Sequence, residues 1–152
     1  MTFQNLVPDL AKRLAIPPPK PDARQLTLVF DGKWNVTCEH DESADEMLFF
    51  LPLPAFRREN AHLLERDGVF GAGLAGFAVS YVDEFDACAI WRRYRNEFLD
   101  ADEVEDILSR LVDVASALQS RLEAEGEESS AWSGGGEPSA AEDPEPGSRF
   151  WV

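Results

Sequence analysis

Apolar positions along the chain follow two rhythms. Leu6, Leu10 and Leu14 recur every four residues with Lys12 and Arg13 opposite, and Pro17 to Pro19 stop the pattern, which predicts one short amphipathic helix. Residues 24–30, RQLTLVF, then alternate, with Leu26, Leu28 and Phe30 on one face. Asp31-Gly32 is a hairpin signal, and residues 33–40, KWNVTCEH, answer with Trp34, Val36 and Cys38 inward and Asn35, Thr37 and Glu39 outward. After the charged stretch DESADE, residues 46–53, EMLFFLPL, form an apolar run of strand length that Pro52 and Pro54 close. Residues 54–67 carry Phe56, Asn60, Leu63 and Leu64 at helical spacing, with Pro54 near the start and Gly68 at the end, so a second short helix is expected. Alternation returns from Leu74 to Val82. A polar turn follows at Asp83 to Asp86, and residues 87–95 supply the partner strand of a second hairpin. Asp100 as N-cap with Glu103 three residues on opens a long helix, whose apolar positions run from Val104, Ile107 and Leu108 through Leu111, Val114, Ala115 and Leu118 to Leu122.

This order defines an α+β domain: helix, three antiparallel strands, helix, two-stranded hairpin, long C-terminal helix. Strand 46–53 has a consequence of its own. Leu48, Phe49, Phe50 and Leu51, with Val29, cannot all face one core, because neighbours on a strand point to opposite sides, so the sheet must be apolar on both faces in places. The candidates to cover the second face are the first helix, a second copy of the chain, or an extended peptide added at a sheet edge.

Composition narrows the functions. The chain has 152 residues and a formal charge of −15, from 14 Lys plus Arg against 29 Asp plus Glu, which disfavours nucleic acid and anionic lipid as partners. The two cysteines, Cys38 and Cys88, form no C-x-x-C pair and fit a reducing cytosol. No stretch approaches the roughly 20 apolar residues of a membrane span, so no membrane insertion and no signal peptide are expected. Beyond residue 124 the composition turns to Glu, Ser, Gly and Pro. Residues 1–122 hold 13 basic and 21 acidic side chains and residues 123–152 hold 1 and 8, so the domain at 1–124 is acidic in its own right and 125–152 reads as a disordered acidic tail. Phe150 and Trp151 break that polarity; the tail is either a solubilising appendage or a leash for a short apolar end.

Candidate chemistry is thin. Gly71, Gly73 and Gly76 match the G-x-G-x-x-G spacing of dinucleotide folds, but a helix precedes them and a strand follows, the reverse of what cradles a pyrophosphate, so no cofactor is expected. Cys38 and His40 stand side by side on one strand face, which allows a thiolate-imidazole pair and a small hydrolase, but no helix N-terminus or Asn/Asp orienter is in an obvious place, and a small core residue explains Cys38. His62 reads as a solvated residue of the second helix. Asp41, Glu42, Asp45 and Glu46 lack the glycine and distal glutamate of a calcium loop, so no metal is expected. Arg92, Arg93 and Arg95 with Trp91 and Tyr94 form the basic aromatic cluster, whose expected role is pairing with acidic groups of this chain or a second copy.

Three stretches carry a family resemblance: the opening "LVPDLAKRLAIPPP", the hairpin "LTLVFDGKWNVTCE", and the run from "GAGLAGFAVSYVDEFDACAIWRRY" into "LDADEVEDILSRLVDVASALQSRL". With the order of elements, these resemble the class I chaperones of bacterial type III secretion, the Tir chaperone family, over residues 1 to about 124. The tail exceeds the usual family length, and "DEFD" lacks the glycine often found at that turn. The resemblance implies a non-enzymatic, cofactor-free protein of the bacterial cytoplasm that binds the N-terminal segment of a secreted effector and keeps it extended and competent for secretion. A regulatory adaptor that sequesters a secretion regulator is the alternative. It implies client contacts at Leu6, Leu10, Leu14, Leu26, Leu28, Phe49 and Leu51, a homodimer through Phe56, Leu63 and Leu64, and room for contact with the secretion ATPase.

Overall fold

The computed structural model describes residues 2–64 and 74–133. Residues 1–119 form one compact unit and residues 120–152 a second. The first begins with helix α1, Phe3–Arg13, which buries Phe3, Leu6, Val7, Leu10 and Ala11 along one face. Its last turn carries Lys12 and Arg13, the charge that suits a helix C-terminus, and Ala15 just beyond takes a left-handed conformation with φ 53°. Pro8 lies inside the helix, on its exposed side.

Five strands follow: β1 (Gln25–Phe30), β2 (Trp34–Asp41), β3 (Glu46–Leu53), β4 (Ala78–Val82) and β5 (Ala87–Arg95). They form one antiparallel sheet in the order β1-β2-β3-β5-β4. Asp31 and Gly32 both take positive φ, 52° and 67°, at the β1–β2 turn, the geometry an Asp-Gly pair is suited to. The β2–β3 turn is held by Asp41, whose Oδ1 accepts from the Ser43 amide at 3.0 Å, the Ser43 hydroxyl at 2.6 Å and the Ala44 amide at 3.2 Å. Those bonds, led by the hydroxyl, lower the Asp41 pKa. At the β4–β5 turn Asp86 takes the left-handed position, φ 48°, that a glycine often fills, and the Tyr81 hydroxyl donates to its carboxylate.

Strand parity sorts the sheet into two faces. On β3, Met47, Phe49, Leu51 and Leu53 are buried while Leu48, Phe50 and Pro52 on the other side are half-buried. The inner face also takes Val36 and Cys38 from β2 and Cys88 and Ile90 from β5. Phe3 of α1 stacks on His40 of β2 at 5.3 Å, and the Arg13 guanidinium binds Asp102 and, at 3.7 Å, Glu105, which ties α1 to the long helix α2, Ala101–Ser133. Within the first unit α2 buries Ala101, Val104, Ile107, Leu108, Leu111, Ala115 and Leu118. Asp100 caps it, accepting from the Glu103 amide at 2.8 Å. Each large side chain so buried contributes about 1.5–3 kcal/mol of transfer free energy.

Among the described residues the first helix, the five strands and the long helix follow in the expected order, with two shifts. The fourth strand starts at Ala78 rather than Leu74. Leu74 lies in a turn, buried, and Gly76 at φ 87° leads into the strand, where a Cβ would also meet the Arg92 guanidinium nitrogen at 2.8 Å. Phe56 lies ahead of any helix, because Pro54 breaks the path and the Phe56 carbonyl accepts from the Cys88 amide at 2.7 Å. A 3-10 turn at Arg58–Asn60 follows. Residues 62–64 are helical; residues 65–67 of the expected second helix, and Gly71 and Gly73 after it, lie outside the described residues. In the second unit, α2 continues to Ser133, past the Leu122 where the apolar pattern ends; the later part of the tail, including Phe150 and Trp151, is also outside them.

Candidate functional site

Among the described residues of the first unit, two apolar surfaces stand open. One lies beside β1, the edge of the sheet, where alternate residues turn their N–H and C=O groups away from β2. The C-terminal end of α1 and the proline segment run next to that edge and leave a groove of about 500 Å³ lined by Leu14, Ile16, Pro17, Leu26, Leu28, Val29 and Phe30, with Thr27. The reason is local. Arg13 is the last helical residue, the left-handed Ala15 turns the chain, and prolines that cannot donate keep residues 17–19 from pairing with β1. Val29 is 62% exposed, a high value for a β-branched residue on a strand.

The second surface is the outer face of the sheet. Leu48, Phe50, Val82, Phe85, Ala89 and Trp91 line a shallow depression of about 320 Å³, with Ser80 and Arg93 at its margin. Phe85 is 47% exposed and stacks on Phe50 at 6.2 Å, and the Trp91 indole N–H donates to Ser80 Oγ at 2.9 Å. The β1–β2 part of that face is polar instead: Thr27 and Thr37 hydrogen-bond across strands at 3.1 Å. Arg93 reaches Asp41 at 3.6 Å and Glu46 at 3.9 Å, Arg95 pairs with Glu97 at 3.0 Å, and Arg92 lies over the Tyr94 ring at 4.9 Å.

The residues expected to touch a client divide by burial. Leu14 and Leu26 are half-buried and line the groove. Leu6, Leu10, Phe49 and Leu51 are at most 2% exposed, packed in the chain's own core, and offer no surface as folded; Leu28 is 5% exposed and reaches the groove only as part of its floor. The physical reason on β3 is parity. Both of its faces are apolar, so spacing alone could not tell that Phe49 and Leu51 point inward and Leu48 and Phe50 outward. On the expected dimer surface, Phe56 and Leu64 are buried within the chain and Leu63 is half-buried. Ile16, Phe30 and Phe85 were not named as surface residues, whereas Val29 was among the apolar residues expected to leave the core; Trp91 was named only for its basic aromatic cluster.

The pair Cys38 and His40 does not assemble a nucleophile. Burial pushes the Cys38 thiol up to about 12, the opposite of what a reactive thiolate requires. His40 Nε2 meets Asn96 Nδ2 at 2.9 Å, and the same amide donates to Asp45 Oδ1 at 2.8 Å, which joins β2, the β2–β3 turn and the residue after β5. Among the described residues no cluster of His, Cys, Asp and Glu could hold a metal ion, and no helix is long and apolar enough to cross a membrane.

No protein-family model matches the chain, and no curated protein matches it. Solved structures do. A chain of the ExsC–ExsE complex superposes with a TM-score of 0.66 at 16% identity, covering 78% of this chain and 95% of that one. A chain of the HopA1–SchA chaperone–effector complex gives 0.64 at 14%, covering 76% and 91%. The Yersinia pestis type III secretion chaperone SycH, solved with a fragment of YscM2, has a chain that matches at 0.61 and 17%, covering 77% and 99%. The chain has the fold of the type III secretion chaperones.

Proposed function

We propose that this chain is a type III secretion chaperone, which binds the N-terminal region of a secreted effector in the bacterial cytoplasm and holds it extended. The observation that carries the reading is the apolar groove beside the open β1 edge, in a fold shared with chains of chaperone–effector complexes. An extended segment placed there would complete the unpaired backbone of β1 and bury its apolar side chains against Leu14, Ile16, Leu26, Val29 and Phe30. Covering apolar area at roughly 25 cal/mol per Å² offsets the entropy lost in holding the client straight. No step of this requires catalysis or a cofactor. The second apolar surface, around Phe50, Phe85 and Trp91, is the face we assign to a second copy of the chain, with Leu63 as the remaining contact from the expected set.

The test is isolation of the chain from its bacterium followed by light scattering and limited proteolysis. A dimer that retains a secreted protein, protected from protease over its N-terminal segment, is the expected outcome. A monomer that retains no secreted protein defeats the reading. A small regulatory protein in place of an effector would turn the assignment to the adaptor of the same fold.

A further inference from the structure

The floor of the groove is apolar, but its far end is charged in one sense only. Leu14 and Phe30 belong both to the groove beside β1 and to a second depression, of about 460 Å³, which continues it between the β1–β2 turn and α2 over Leu108 and Val112. Among the described residues, the ionisable side chains lining that continuation are Asp31, Glu105 and Asp113, and no basic side chain lines either part. Glu105 is met by Arg13 at 3.7 Å. Asp31 and Asp113 have no cationic partner among the described residues, and the neighbouring Lys33 lies over the Trp34 ring at 4.9 Å.

Two free carboxylates at the end of an apolar channel select for sign. Resting on the reading of the groove as the client site, we propose that its occupant is an extended segment carrying Lys or Arg immediately beside its apolar anchors, with the cation seated between Asp31 and Asp113. A second copy of this chain, with net charge −15, is the wrong sign for that end of the groove.

The experiment is fluorescence anisotropy of the full chain with three synthetic peptides of alternating Leu and Ser, ended by Lys, by Ser or by Glu. The Lys-ended peptide should bind roughly threefold to tenfold more tightly than the Ser-ended one at low salt and the Glu-ended one more weakly, with the differences fading at about 0.5 M salt. The double variant Asp31→Asn, Asp113→Asn should lose the preference for Lys while binding the Ser-ended peptide unchanged. It should fold, since Asn tolerates the positive φ at position 31 and residue 113 is exposed on a helix. Glu59→Gln with Glu84→Gln, an equal change of charge at exposed positions outside the groove, should keep the preference. Equal binding of all three peptides, or a preference that survives in the Asp31/Asp113 variant, overturns the proposal and leaves the groove as a client site. Failure of every peptide to bind overturns both.

Discussion

Phe49 and Val29 show how far the role of an apolar residue depends on which way its strand faces. Phe49, fully buried and edge-on to Tyr94 at 5.7 Å, is a packing residue. Phe49→Ala should cost about 3–5 kcal/mol, read as a lower urea midpoint, because the surrounding core cannot close over the space. Val29→Ser, at an exposed position, should leave stability within about 0.5 kcal/mol and weaken peptide binding in the anisotropy assay. Cys38 supplies a pH dependence. Its thiol is pushed from 9.0 up to about 12 by burial alone, so above about pH 9 the unfolded chain loses this proton while the folded chain keeps it. The folded state then binds more protons, and stability falls as pH rises, by at most about 1.4 kcal/mol per unit from this group until pH passes the folded value. The urea midpoint should therefore drop more between pH 8 and pH 10 in the native chain than in Cys38→Ala.

At the scale of elements, α1 is assembled against its own propensity. Pro8 removes a backbone donor in mid-helix, yet the helix persists because Phe3, Leu6, Val7 and Leu10 are buried on its other side. Pro8→Ala should raise stability by about 1–2 kcal/mol, visible as a higher melting temperature, the gain being trimmed by the greater freedom of the unfolded chain. Strands β3 and β5 and the capped start of α2 were legible in the sequence, because apolar runs bounded by prolines and an Asp-x-x-Glu capping pattern are local signals that tertiary packing had no reason to override. The start of β4 was not, since Leu74 is apolar in phase with the strand but is buried from a turn. Nor could spacing show which side of β3 faced the helices, and that choice separates Phe49 and Leu51 from Leu48 and Phe50. The groove was half legible: Leu14 and Leu26 were among the expected contacts and Phe30 shared the strand face of Leu26, whereas Ile16 joins them only through the turn at Ala15.

At the scale of the molecule, the described residues leave an apolar edge groove, which we assign to a client, and an apolar sheet face, which we assign to a second copy. They can be separated by substitution. Phe85→Glu, in an exposed turn away from the groove, should shift the light-scattering mass from dimer to monomer at unchanged far-UV circular dichroism, and should leave the binding of the Lys-ended peptide in place. A dimer that survives this change would show that copies meet elsewhere.

The open margin at β1 also makes the empty protein a hazard to itself. A strand with spare hydrogen-bonding groups accepts other strands, including the same margin on a neighbouring molecule. Mutual repulsion between strongly anionic particles is then what keeps vacant copies apart. Acidification, which neutralises the carboxylates one by one, should bring on turbidity in the protein alone well before it does so with a peptide bound in the proposed groove.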